Sequence, residues 1–275
     1  MSSPNACTLY IFLNFIYDYE EGLYDIIKRM VRYRFRNKDE LQYGVDCWCN
    51  PKLNKQTKIK YGHISLWDTS LITNMYKLFY NKQVFNDNIN DWVVSNVINM
   101  NSMFTLCYKF NQPLDNWDVS RVTNMNDLFS HCDEFNQSLN NWNVKNCIDM
   151  NSMFNRCRHF NQPLDKWDVG NVIDMNQMFD GCFNFDQPLG NWDVKKVEYM
   201  IGMFNDVKLG IENKNTLNSW FDKLPDNFEY LTKFMNKNDM DSDTESDDSY
   251  LGWQEGCASQ SSIYDSSSDT SYEED

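Results

Sequence analysis

Residues 110–125 read Phe-Asn-Gln-Pro-Leu-Asp-Asn-Trp-Asp-Val-Ser-Arg-Val-Thr-Asn-Met, and residues 160–175 read Phe-Asn-Gln-Pro-Leu-Asp-Lys-Trp-Asp-Val-Gly-Asn-Val-Ile-Asp-Met. Working outward from this stretch, tryptophans fall at Trp67, Trp92, Trp117, Trp142, Trp167 and Trp192, every gap being 25 residues. A fixed period of this length is the mark of a repeat architecture. Counted from each Trp, position +8 is always Met, from Met75 to Met200, and position +12 is always Phe, from Phe79 to Phe204. Position +11 is Leu78, Met103, Leu128, Met153, Met178 and Met203. Position +18 is Phe85, Phe110, Phe135, Phe160 and Phe185.

A 25-residue unit cannot bury these columns alone, but stacked units can, each column lying on its copy in the next coil. One inserted residue would break every column, and there is none. The expected fold is therefore an α/β repeat solenoid of six 25-residue coils, with helical caps and a disordered acidic tail. The spacing predicts one short strand per coil, for example 122–125. It also predicts one helical turn, for example 126–132, where Leu128, Phe129 and Cys132 share a face. Polar columns repeat as well. Position +7 is Asn74, Asn99, Asn124, Asp149 and Asp174, and position +19 is Asn86, Asn111, Asn136, Asn161 and Asp186. They read as ladders satisfying loop backbone groups from coil to coil, the alternative being a ligand-binding stripe.

The stretch 110–125 resembles the repeat of the BspA-like leucine-rich-repeat family, known from mycoplasma and listeria-type surface proteins and from large DNA viruses. Lys38-Asp-Glu-Leu-Gln-Tyr-Gly-Val-Asp-Cys-Trp48, followed by Tyr61-Gly-His-Ile-Ser65, resembles the segment that precedes the first repeat in that family. The resemblance covers about residues 38–205. It implies a leucine-rich-repeat-like solenoid and no particular biochemical activity. The Asn-rich, Tyr-rich composition matches a large DNA virus member.

The expected organisation is an N-terminal helical segment at 1–37, an N-terminal cap at 38–66, the repeat solenoid at 67–209, a C-terminal cap at 210–237 and the tail at 238–275. In the first cap, Leu41, Val45 and Trp48 have helical spacing. In the second, Leu217, Trp220, Phe221, Leu224, Phe228, Leu231 and Phe234 are the apolar residues, with Pro225 splitting the helix. The segment 1–37 carries Leu23, Ile26, Ile27, Met30 and Val31 at helical spacing and a basic patch that includes Arg32, Arg34 and Arg36. The tail holds 12 acids and 12 Ser or Thr, too little apolar surface to offset ordering entropy. Ser242, Thr244, Ser262, Ser266, Thr270 and Ser271 each have an acid three residues on, a pattern open to acid-directed kinases.

The chain of 275 residues has a net charge of −15, which argues against a nucleic-acid partner. The tail supplies most of this charge. The nine cysteines form no CxxC pair, which suits reduced thiols in an intracellular, non-secreted protein. The apolar run at 9–17 is about half the roughly 20 residues that span a bilayer, so no membrane partner is expected.

No motif carries chemistry. His63, His131 and His159 occupy different repeat positions, and Cys107, Cys132, Cys157 and Cys182 form a column that reads as small buried residues. Neither a P-loop nor GxGxxG occurs. No catalytic, cofactor-binding or metal-binding residue is therefore expected, and no cofactor. The acid at +1 (Asp68, Asp118, Asp168, Asp193) reads as a turn residue.

If the repeated columns serve packing, recognition falls to columns that vary. Two flank the buried +5: position +4, with Asn96, Arg121, Asn146 and Asn171, and position +6, with Ile98, Thr123, Ile148 and Ile173. Strand alternation turns both outward, which makes them the candidate interaction face. The expected function is a non-catalytic scaffold for an unidentified protein partner, the alternative being a structural or virion assembly component.

Overall fold

The structure is a computed structural model and describes residues 32–221. Helix α1 spans Lys38–Cys49. Asn37 caps it by accepting from the Glu40 amide, and the Glu40 carboxylate reaches back to the Arg36 amide, so donors at the helix start are satisfied reciprocally. Leu41, Val45 and Trp48 are buried on its inner face. Helix α2 spans Asn54–Tyr61 and ends at Gly62, whose φ of 77° is left-handed. A 3₁₀ turn at Ile64–Leu66 leads into Trp67. At the other end, α3 spans Ile211–Phe221. Among the described residues no helix is long and apolar enough to cross a membrane.

Between the caps, the six 25-residue units lie one on another. Isolated parallel bridges join Asn74 to Asn99, Asn99 to Asn124, Asn124 to Asp149, Asp149 to Asp174 and Asp174 to Tyr199, one per junction. The expected short strand and helical turn are not present as regular elements; each unit is a run of turns. The reason lies in the backbone. Position +10 (Lys77, Ser102, Asp127, Ser152, Gln177, Gly202) and position +14 (Asn81, Leu106, His131, Arg156, Gly181, Asp206) have positive φ in every unit, between 51° and 72°. A left-handed residue every fourth position breaks an α-helix. It also swings alternate N–H groups out of the unit. Met125, Asp127, Phe129 and His131 donate to the carbonyls of Asp149, Asn151, Met153 and Asn155 in the next unit, at 2.7 to 2.9 Å. The amides between them close local turns, as Leu128 does on Met125. The same four-rung ladder joins every successive pair of units.

The ladder sets a short repeat distance, and the aromatic columns obey it. Rings at +12 stack at 5.4 Å between Phe79 and Phe104 and 5.6 Å between Phe104 and Phe129. From Phe79 to Phe179 each also lies against the +18 ring of its own unit, 4.1 Å away for Phe129 and Phe135. Each Trp indole from Trp92 to Trp192 donates to the carbonyl 28 residues earlier, as Trp142 does to Leu114 at 2.9 Å. A fully buried N–H is thereby satisfied.

The caps close the columns. Phe35 is buried and tilts over Trp67 at 4.8 Å, and Arg34 bridges to Asp68. Residues 33–35, expected in the N-terminal segment, thus pack against the first cap and the first unit. At the far end α3 delivers Trp220, stacked on Trp192 at 6.1 Å. Asp186 accepts from the Gly210 amide and the Asn213 side chain, which ties the start of α3 to the fifth unit. Residues 1–31, Pro225 with the later cap residues, and the acidic tail lie outside the described residues.

Two stability outcomes are expected. Phe129 is fully buried in the middle of its column, so Phe129→Ala should cost roughly 3–5 kcal/mol in denaturant unfolding. A near-neutral result would contradict the stacking of that column. Gln177 is exposed at a left-handed position where the next unit has Gly202. Gln177→Gly should therefore stabilise, by about 0.5–1 kcal/mol, because glycine adopts this conformation without a Cβ clash; a lower melting temperature would refute the strain argument.

Candidate functional site

The candidate face is built on a second backbone ladder that runs opposite to the first. The amide of Thr123 donates to Ile98, Ile148 to Thr123, Ile173 to Ile148 and Glu198 to Ile173, at 2.8 to 2.9 Å. This pins the +6 residues in one row along the stack. The +5 neighbours Val97, Val122, Cys147, Val172 and Val197 are buried, so alternation turns +4 and +6 outward. Ile98 and Ile148 are 43% and 46% exposed, and Ile173 is half-buried.

Ile98, Arg121, Thr123, Asn146, Ile148, Asn171 and Ile173 line one shallow surface depression, together with Lys196. Asn96 is not in this lining; its amide is committed to the Ser70 carbonyl, and its Oδ1 accepts from Arg121. Asn146 and Asn171 donate likewise to Ser120 and Lys145. The amides at +4 therefore brace one unit on another. Lys196 had the same sequence signal as its column mates, since position +4 is outward in every unit.

The other polar columns are engaged in local turns or in bonds between units. At +7, Asn124 and Asp149 accept from the amides of Asn126 and Asn151 two residues on, the turn that Asn and Asp side chains favour. Asp68, Asp118, Asp168 and Asp193 at +1 do the same. At +19, Asn111 accepts from the Asn136 amide and the Gln137 side chain of the next unit. The sulfurs of Cys107, Cys132, Cys157 and Cys182 each donate to a phenylalanine carbonyl 28 residues earlier, at 2.8 to 3.0 Å. They lie beside the tight backbone ladder and not on the helical turns expected from their spacing. All four are free, and burial pushes their thiol pKa values up. His131 is half-buried, and His159 turns a ring nitrogen to the Asp133 carbonyl. Among the described residues no group of three His, Cys, Asp or Glu side chains is placed to hold a metal ion.

Comparison with known proteins adds a family. A family model described as Mycoplasma protein of unknown function, DUF285, matches residues 49–160 and 139–243. The chain belongs to this family. No curated protein and no solved structure matches it. The DUF285 matches take in the last residue of α1, all six units and α3. The candidate face of this DUF285 chain spans the two matched segments, with Asn146 and Ile148 in their overlap.

Burial raises the Asp149 pKa, and the nearby Asp174 and Asp127 carboxylates raise it further, against the Asn151 amide bond that lowers it. A carboxylate whose folded pKa is raised weakens the fold at neutral pH; the deficit shrinks as pH falls below that folded value and is gone below the unfolded one. Asp149→Asn keeps the acceptor for Asn151 and matches the Asn of the first three units. Its melting temperature should exceed that of the parent at pH 7, and the gap should close on acidification. A gap independent of pH would point to a cause other than charge.

Proposed function

We propose that the stack is a leucine-rich-repeat-like solenoid serving as a non-catalytic scaffold for protein–protein interaction, and that the +4/+6 face is where a partner docks. One observation carries this reading: the varying outward columns line a continuous depression with exposed isoleucines, while the constant columns are buried in packing. Exposed aliphatic side chains in a row are a feature of contact surfaces. The acids with raised pKa values in the units, Asp127, Asp149 and Asp180, are hydrogen-bonded to neighbouring side chains or amides. That supports a structural role for them over catalytic work.

The same proposal puts the protein inside a cell, in host cytoplasm if its source is a large DNA virus. The nine cysteines without a CxxC pair and the Asn- and Tyr-rich composition support this placement.

The test is the paired variant Ile148→Asp with Ile173→Asp, compared with the parent by quantitative affinity purification from the cells that make the protein. Stoichiometric partners of the parent should be lost from the variant while far-UV circular dichroism stays the same. Full retention of those partners would overturn the reading, and so would collapse of the fold, which would make +6 a core column.

A further inference from the structure

The depression has a charge character that narrows its occupant. Its lining contains two cations, Arg121 and Lys196, and no acid. Elsewhere some cations meet carboxylates, Arg34 with Asp68, Lys82 with Asp46 and Lys109 with Glu134, while Lys166 rests on the Asn141 amide. Among the described residues Arg121 and Lys196 meet no carboxylate. Arg121 donates to the Asn96 side-chain oxygen at 2.9 Å and Lys196 to that of Asn171 at 2.7 Å. A neutral amide fixes the position of each cation and leaves its charge uncompensated. The guanidinium spends one N–H on Asn96, and its fork can still take a carboxylate.

The two cations stand three units apart on the same column. At about 4.8 Å per unit along the ladder, that is about 14 Å. An extended chain rises about 3.3 Å per residue, so side chains at i and i+4 share a face about 13 Å apart. The residue at i+2 on that face falls midway, over the row that holds Ile148 and Ile173. Resting on the interaction-face reading above, we propose that this depression takes an acidic, extended segment of a partner protein, with carboxylates four residues apart and an aliphatic side chain between them. Single-stranded nucleic acid is the poorer match, because base stacking needs aromatic platforms and the lining has none.

The experiment uses the full chain with ¹³C-labelled isoleucine δ1 methyl groups, titrated at low salt with three synthetic peptides: Gly-Glu-Ser-Ile-Ser-Glu-Gly, its Gln counterpart and its Lys counterpart. The Glu peptide should shift the Ile98, Ile148 and Ile173 methyls saturably, and the Lys peptide should not. Arg121→Gln and Lys196→Gln should each weaken the Glu peptide about fivefold, the scale of one exposed charge pair. Equal shifts from the Gln or Lys peptide would overturn the acidic assignment while leaving the interaction face standing. No shift with any peptide at millimolar concentration would also overturn it, and partner loss in the Ile148/Ile173 variant would then judge the face separately. Stronger shifts from a single-stranded oligonucleotide at equal concentration would replace the protein partner with a nucleic acid.

Discussion

Everything in the described structure hangs on the backbone ladder between successive units. Four amides per unit, at +8, +10, +12 and +14, reach the carbonyls of the next. They can do so because +10 and +14 are left-handed. That conformation is costly for residues with a Cβ, of order 1–2 kcal/mol each, yet Leu106, His131 and Arg156 adopt it. What holds them is the number of groups satisfied at once. Alternate amides close turns within the unit, and the others bond across it, so the backbone of an irregular coil is accounted for without helix or sheet.

From that ladder the side-chain columns follow. A rise near that of a β-pair lets phenylalanine rings stack face on face in register, and it leaves no room for an inserted residue. Small residues are needed where the chain turns closest to the previous unit, and cysteine adds a weak donor that reaches a phenylalanine carbonyl there. Tryptophan combines a large apolar body with one N–H, and the carbonyl that takes it is presented at the same place in each unit. The caps continue the same logic. Phe35 and Trp220 cover the outermost indoles, and the acceptor-only Asp186 replaces the column asparagine where α3 offers two donors.

The candidate interaction face is a by-product of this regularity. A row built on a ladder has fixed spacing, so its chemistry is set by which side chains are left variable. Asparagines at +4 brace neighbouring units and hold two cations without neutralising them. Isoleucines at +6 stand beside them with little to bury against. Recognition and stability therefore use different columns of the same coil, and a change at Ile148 is separable from one at Phe129.

The period, the buried columns and the outward pair +4/+6 were legible in the sequence. Residues 25 apart must meet when equal units stack, and apolar columns must find one another out of water. The role of the +1 acids was legible too, because Asx turns depend on neighbours two residues away, whereas the +7 side chains, expected to form ladders from coil to coil, close the same local turn. The local backbone was not. Leu128, Phe129 and Cys132 have helical spacing, and all three are buried, but Asp127 and His131 between and beside them turn left-handed. Propensity gives only a partial hint of this: Gly, Asn, Asp or His holds some of these positions, but Lys77, Leu106, Arg156 and Gln177 are types that rarely adopt the conformation. Only the arrival of the next unit, with its row of carbonyls, makes it the better arrangement. The place of residues 33–35 against the cap, and the amide anchoring of Arg121 and Lys196, were likewise decided by contacts 25 or more residues away.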